Sequence, residues 1–159
     1  RAFGMQIEYH NRHRLSGALE NMLSARFQPD LDQLVAQADV ISLHCPATPE
    51  THHVLDARRI AAMKPSAYVV NTARGQLIEE EALIAALEAG RIGGAGLDVY
   101  HSEPFVDPRL IALPNVVALP HLGSATFEGR EASGDRVIAN IRFWADGHRP
   151  PDQVLDGLV

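Results

Sequence analysis

The stretch Ala67-Tyr68-Val69-Val70-Asn71-Thr72-Ala73-Arg74-Gly75 decides how the rest of the chain is read. A short β-branched and aromatic run stops abruptly at polar residues, which predicts a strand buried on both faces of a parallel sheet. Such sheets bind ligands beyond the carboxyl ends of their strands. Arg74 falls at that end, where a planar guanidinium can grip a carboxylate through two parallel hydrogen bonds. Gly75 is expected to let the backbone turn sharply. Two later stretches repeat the pattern: Leu97-Asp98-Val99 leads to Glu103, and Val116-Val117-Ala118-Leu119 leads to Pro120-His121. An arginine, a glutamate and a histidine, each just past a strand, look like one catalytic edge. The competing reading makes Arg74 a surface partner of Glu79 or Glu80, Glu103 a solvated loop residue and His121 an ordinary loop histidine.

Outward from that stretch, strand and helix patterns alternate. Upstream, Met5 to Tyr9 is a strand candidate ending in the polar cluster His10-Asn11-Arg12-His13-Arg14, and residues 15–27 mix a short helix with a loop. A helix starts at Asp30-Leu31-Asp32 with an acidic first turn, as the helix dipole favours. Val40 to His44 is a second strand, broken by Cys45-Pro46. Asp56 caps a short helix to Met63, which Lys64-Pro65 stops. Downstream, Glu79 to Ala89 is the clearest helix, with Leu83, Ile84 and Leu87 on one face and Gly90 at its end. Gly93 to Val99 is a glycine-rich strand whose backbone is expected to lie close to its neighbours. A long loop over 100–114 carries Pro104, Pro108 and Pro114, and Val116 to Leu119 is the last strand. Ser124 to Asp146 reads as a long helix burying Val137, Ile138, Ile141 and Trp144; Gly147 ends it and Arg149-Pro150-Pro151 opens an extended tail. Repeated strand–helix units predict an α/β fold with an open, doubly wound parallel sheet.

The bulk composition agrees. The chain has 159 residues, 46% hydrophobic and 21% charged, with a formal net charge of -6. A chain of this length can bury roughly two-thirds of its unfolded surface. The acidic balance argues against nucleic acid or an anionic membrane as the main partner. Cys45 is the sole cysteine, so no internal disulfide forms, and no zinc-type ligand cluster is visible. No metal is expected, and a reducing, cytoplasmic setting is. No apolar run approaches the roughly 18 residues of a membrane span. Arg1-Ala2-Phe3 before Gly4 reads as the last turn of a helix and its stop, so the chain is read as a piece beginning inside a helix. The alternative is a short chain left by processing.

Asn71-Thr72-Ala73-Arg74-Gly75, Gly96-Leu97-Asp98-Val99 with Glu103-Pro104, and Pro120-His121-Leu122-Gly123-Ser124-Ala125-Thr126 together resemble the D-isomer-specific 2-hydroxyacid dehydrogenases. His44-Cys45-Pro46-Ala47-Thr48-Pro49-Glu50-Thr51 is similar to a further segment of that family, and the nearest flavour is the glyoxylate and hydroxypyruvate reductases. The likeness covers nearly the whole chain, and four motifs in this order are specific where any one is weak. One departure is plain: the family's Gly-x-Gly-x-x-Gly is absent, since Gly90, Gly93, Gly94 and Gly96 open no helix. The resemblance implies a Rossmann-like NAD(P)-binding domain over 1–148 that lacks its first strand and glycine-rich loop. Residues 149–159 would then be a tail returning toward an absent substrate domain. Such a piece is expected to be inactive alone, because pyrophosphate binding at a helix N-terminus is lost.

Within that resemblance, Arg74 would grip the carboxylate of a small 2-oxo or 2-hydroxy acid and polarise its carbonyl. His121 would donate the proton, since imidazole titrates near working pH, and Glu103 would stabilise the imidazolium. Asp98 would lie near the nicotinamide carboxamide, against the plainer reading of a loop cap. His44, Cys45, Pro46, Thr51, Thr72, Ala73, His121 and Gly123 would line the cofactor. Cys45 precedes a proline and has no evident base, so it is not a nucleophile. An NAD enzyme places an acid after the strand that ends at Tyr9. Here Asn11 takes that slot, followed by Arg12, His13 and Arg14, so NADP(H) is preferred and NAD(H) stays open. The plainer alternative for those residues is a basic surface loop. Family members are commonly homodimers. The alternative function is a nucleotide-sensing interaction protein, because corepressors related to this family can keep the same three residues.

Overall fold

A computed structural model describes residues 2–154. In chain order the elements are β1 (Ile7–Tyr9), α1 (Gly17–Leu23), β2 (Ala25–Phe27), α2 (Leu31–Gln37), β3 (Val40–Leu43), α3 (Ala57–Ala62) and β4 (Tyr68–Asn71). A 3-10 turn (Gly75–Leu77) follows, then α4 (Glu80–Glu88), β5 (Gly94–Leu97), α5 (Pro108–Ala112), β6 (Val116–Ala118) and α6 (Phe127–Ala145). Two compact units result, one running to Pro120 and one starting at His121.

The first unit holds every described strand. β3, β4, β5 and β6 pair in that order and all in parallel, while β1 and β2 form a separate parallel pair. Register aligns the four carboxyl ends: Leu43 faces Asn71, Asn71 faces Leu97, and Leu97 faces Ala118. Every strand of that sheet therefore delivers its following loop to the same line. Val69 lies between Ile41 and Ala95 in the ladders and is fully buried. Leu83, Ile84 and Leu87 of α4 join it in the core, as their spacing predicts. Each such burial is worth about 1.5–3 kcal/mol. Asp56 accepts from the Arg59 amide at 2.8 Å and so caps α3. The glycine-rich strand does pack closely: a Cβ on Gly94 would sit 2.5 Å from the Asn115 carbonyl oxygen.

Four expectations change. Residues 25–27, read as loop, form β2 alongside β1; three residues with Arg26 in the middle carry no legible period. The long loop over 100–114 contains α5, with Asp107 accepting from the Arg109 amide at 2.8 Å and Pro108 in the first turn, both good helix-start signals. Gly75 is not among the residues with positive φ. Its lack of a side chain serves close approach, because a Cβ there would lie 2.0 Å from the carbonyl carbon and oxygen of Tyr100.

The fourth change concerns the second unit. No residue of α6 is buried; Val137, Ile138, Ile141 and Trp144 are all exposed, Trp144 at 74%. An apolar helical stripe needs an opposing layer, and among the described residues of this unit α6 is the only helix or strand. Thr126 caps α6 by accepting from the Gly129 amide at 3.0 Å. The tail does not simply extend. Asp152 accepts from the Asn140 amide at 2.8 Å, and its own N–H donates to Asn140 Oδ1 at 3.1 Å. Residues 155–159 of the expected tail, and Arg1 of the expected helix turn, lie outside the described residues. No described helix is long and apolar enough to cross a membrane.

Candidate active site

The row of carboxyl ends gathers the candidate residues of the first unit. At the end of β4, Asn71 is 1% exposed. Its Oδ1 accepts from the Ala73 amide at 3.1 Å, and its Nδ2 donates to the Arg74 carbonyl at 2.9 Å. Its backbone carbonyl accepts from the Asp98 amide at 3.0 Å, tying the end of β4 to the residue after β5. Arg74 is exposed; its Nη1 donates to the Ala73 carbonyl at 2.6 Å, and among the described residues it makes no ion pair. Glu79 accepts instead from the Ala57 amide at 2.8 Å, and Glu80 from the His101 amide at 3.1 Å. Neither glutamate forms the surface pair with Arg74 that the plainer reading required. A cation at a strand end without a protein counter-charge suits an anionic ligand.

Gly75 brings the Arg74 loop against the loop that carries Glu103. Tyr100, 4% exposed, shares its hydroxyl proton between the carbonyls of Leu119 at 2.8 Å and Leu97 at 3.2 Å. Its N–H donates to Glu103 Oε1 at 3.0 Å. The structure thus joins Arg74, Asp98 and Glu103 through backbone contacts at Asn71, Gly75 and Tyr100. Asp98 itself is buried and Glu103 exposed. His121 and Gly123 belong to the second unit, which opens with His121 at φ +56°.

At the end of β3, the His44 ring nitrogen Nε2 lies 2.8 Å from Ser42 Oγ. Burial pushes the Cys45 thiol up, which makes it a weaker nucleophile. Thr51 donates to the Pro46 carbonyl at 2.6 Å and accepts from the Thr48 amide at 2.8 Å, so it closes the turn that follows Pro46. Thr72 is exposed and Ala73 half-buried on the Arg74 loop.

The loop after β1 divides its cations. Arg14 is held in a two-pronged salt bridge, with Nε and Nη2 each 2.8 Å from the Glu20 carboxylate. Tyr9 donates to the same carboxylate at 2.7 Å and accepts from the Leu15 amide at 2.8 Å. Hydrogen bonds from Arg14 first and Tyr9 second hold the Glu20 carboxyl at about 2. Arg14 also sits 5.8 Å over the Phe27 ring. Two of its donors, Nε and Nη2, are engaged by Glu20. Asn11 turns its Oδ1 onto the Arg12 amide at 2.9 Å. Arg12 makes no side-chain hydrogen bond among the described residues, and its charge acts on Glu50. A cofactor phosphate beyond β1 would find Arg12, with Asn11 raising no repulsion.

Two features escape the sequence. Asn71 and Tyr100 anchor the site loops, though neither carries a charge to advertise it. His52 and His53 stack at 3.8 Å, and the His101 ring lies 6.2 Å from that of His53. Burial, then the neighbouring His52, push the His53 pKa down. His52 and His53 are neighbours in the chain, and the fold brings His101 to them from 48 positions further on. No group of described residues could hold a metal ion.

Comparison with known proteins identifies the family and the fold. Residues 1–123 match the family model of the D-isomer specific 2-hydroxyacid dehydrogenase NAD binding domain. A glyoxylate reductase of Thermococcus gammatolerans is 44% identical over 159 residues, covering 100% of this chain and 47% of that protein. Among solved structures, a D-isomer specific 2-hydroxyacid dehydrogenase from Polaromonas superposes with a TM-score of 0.89 at 41% identity, over 97% of this chain and 48% of that one. An NADPH-dependent glyoxylate/hydroxypyruvate reductase from Sinorhizobium meliloti, in complex with NADP and malonate, gives 0.83 at 36% identity, over 91% of this chain and 44% of that one. The chain spans about half the length of the relatives it matches. With its parallel Rossmann-like sheet and its cationic strand end, the chain belongs to the D-isomer specific 2-hydroxyacid dehydrogenases, matching their NAD-binding domain.

Proposed function

We propose that the natural protein reduces a small 2-oxo acid with NADP(H), either glyoxylate to the achiral glycolate or hydroxypyruvate to the D-2-hydroxy acid. The observation that carries this reading is Arg74: an exposed guanidinium with no counter-ion among the described residues, at the carboxyl end of a central strand, abutting the Glu103 loop through Gly75 and Tyr100. Arg74 grips the substrate carboxylate and draws electron density from the adjacent carbonyl. His121 gives the proton that the reduced oxygen needs, and Glu103 keeps that imidazole protonated and oriented. A nicotinamide cofactor, when bound, supplies the hydride. Ala73, Thr72, Asp98 and the segment from His44 to Thr51 line its place, and the resemblance assigns Gly123 to the cofactor as well. Asn11 and Arg12 favour a 2′-phosphate over a bare ribose. In this reading the enzyme works in the cytoplasm as a homodimer.

The test measures NADPH and NADH oxidation with glyoxylate, hydroxypyruvate and pyruvate by the full natural chain. Activity that favours NADPH and disappears in Arg74→Ala and His121→Ala supports the assignment. Cofactor binding without turnover of any 2-oxo acid overturns it in favour of a nucleotide sensor.

A further inference from the structure

We infer that Asn71 is the positioning residue that sets the pose of Arg74, an inference that rests on the substrate-gripping role proposed for that arginine. Asn71 sits at the centre of the strand-end row, between Leu43 and Leu97, and its side chain is almost wholly buried. A buried primary amide must find partners for both its ends. Here both partners are backbone groups of the loop that holds Arg74: the Ala73 N–H, which needs an acceptor, and the Arg74 carbonyl, which needs a donor. Only one orientation of the amide satisfies both. The side chain therefore clasps residues 72–74 at two points, and the Asp98 amide fixes the clasp itself through the Asn71 backbone carbonyl.

The clasp reaches the guanidinium in one further step. Arg74 Nη1 leans on the Ala73 carbonyl at 2.6 Å, and the N–H of that same residue is held by Asn71 Oδ1. Asn71 thus fixes the residue against which the arginine rests. The Leu77 amide donates to the Arg74 carbonyl at 3.3 Å, a longer bond that would remain alone if the asparagine were lost. Aspartate is the sharpest probe. It keeps the acceptor for Ala73, but its second oxygen has no proton to give and would face the Arg74 carbonyl oxygen across the present 2.9 Å. Serine keeps a small acceptor and loses the second arm. Neither changes any group that touches cofactor or substrate.

The experiment compares Asn71→Asp, Asn71→Ser, Arg74→Ala and the Asn71→Asp/Arg74→Ala double variant of the full natural chain. Readouts are KM and kcat for glyoxylate, NADPH Kd by fluorescence, and Tm. Misplacing a binding group by about 1 Å can lose about 100-fold, so Asn71→Asp is expected to raise KM about 10- to 100-fold. Its NADPH Kd should stay within about threefold, because only the arginine moves, while kcat falls to the extent that Arg74 also polarises the carbonyl. The double variant should be no worse than Arg74→Ala, since residues acting through one contact are not additive. If Asn71→Asp does not fold, Asn71→Ser is judged by the same criteria. A KM that stays unchanged in the Asn71 variants while Arg74→Ala raises it overturns the inference and leaves the gripping role standing. So does an Asn71 effect that adds to that of Arg74→Ala, or one in which KM, kcat and Kd all worsen together with Tm. An Arg74→Ala variant with normal KM removes the gripping role, and the inference with it.

Discussion

Gly75→Ala is the substitution whose consequence follows most directly from the packing of the two site loops. A Cβ at this position would stand 2.0 Å from the carbonyl carbon and oxygen of Tyr100 and 2.5 Å from the His101 amide nitrogen, where 3.0 Å is the closest approach real structures tolerate. One of the two loops must therefore retreat by about 1 Å. Neither yields readily. Tyr100 is buried, its hydroxyl is bonded at the ends of β5 and β6, and its amide holds Glu103. On the other side the loop is clasped by Asn71. Forcing one extra carbon into such a contact destabilises by about 1–3 kcal/mol, and each kcal/mol lowers Tm by about 2–4 °C in a domain of this size. The functional effect should be larger than the thermal one, because the 1 Å falls between Arg74 and Glu103. Loss of about 100-fold in kcat/KM for glyoxylate is expected. Thermal unfolding and steady-state kinetics on the full natural chain measure both, with Gly96→Ala as the control, since a Cβ there meets nothing within 4 Å. A Gly75→Ala enzyme with normal kcat/KM and normal Tm would refute the claim that these loops are locked at this point.

Replacing Asn11 with Asp and Arg12 with Ala should shift cofactor preference toward NADH, read as the ratio of the two Kd values; an unchanged ratio removes these residues from cofactor selection. Arg14→Ala is expected to weaken both cofactors to the same degree, because its fork serves Glu20 and not a phosphate; selective loss of NADPH would show that the salt bridge opens on binding. The Glu20 carboxyl is held at about 2 against an ordinary 4.5, by Arg14 and then Tyr9. Its contribution is therefore complete above about pH 4.5 and lost as pH falls toward 2. Glu20→Gln should flatten that part of the acid limb in urea unfolding midpoints, and an identical acid limb would place the stabilisation elsewhere. Asp56→Ala removes the cap of α3 and should lower stability by about 1 kcal/mol, measured by the same urea titration.

What could be read from the sequence, and what could not, divides along a physical line. Burial of β4 on both faces was expected, and the structure buries Val69 while leaving Tyr68 exposed and Val70 half-buried. The β-branched run Val69-Val70 with its polar stop was still enough to place β4 and to put Arg74 at its carboxyl end. The amphipathic spacing of Leu83, Ile84 and Leu87 did the same for α4. Periodicity fails where an element is too short to repeat, and β2, with Arg26 between Ala25 and Phe27, is three residues long. It also fails where burial depends on a partner: Ile138 and Ile141 have the right spacing on α6, yet spacing shows only that a face is apolar, not that something covers it. Polar side chains are harder still, because their meaning lies in what they bond to. Arg12 and Arg14 look equivalent in the sequence, two cations in one basic loop. Glu20, a helix further on, takes one of them and leaves the other. In the same way Gly75 looks like a turn residue until Tyr100, twenty-five positions later in the chain, closes on it. The charged residues proposed to do the chemistry were legible because each follows a strand in the sequence. The neutral groups that hold them in place, Asn71 and the Tyr100 backbone, become visible only when the fold brings their partners within hydrogen-bonding distance, and there the arrangement leaves little freedom. An asparagine whose amide has one satisfying orientation, and a glycine with no room for a methyl group, together fix the loop on which the proposed chemistry depends.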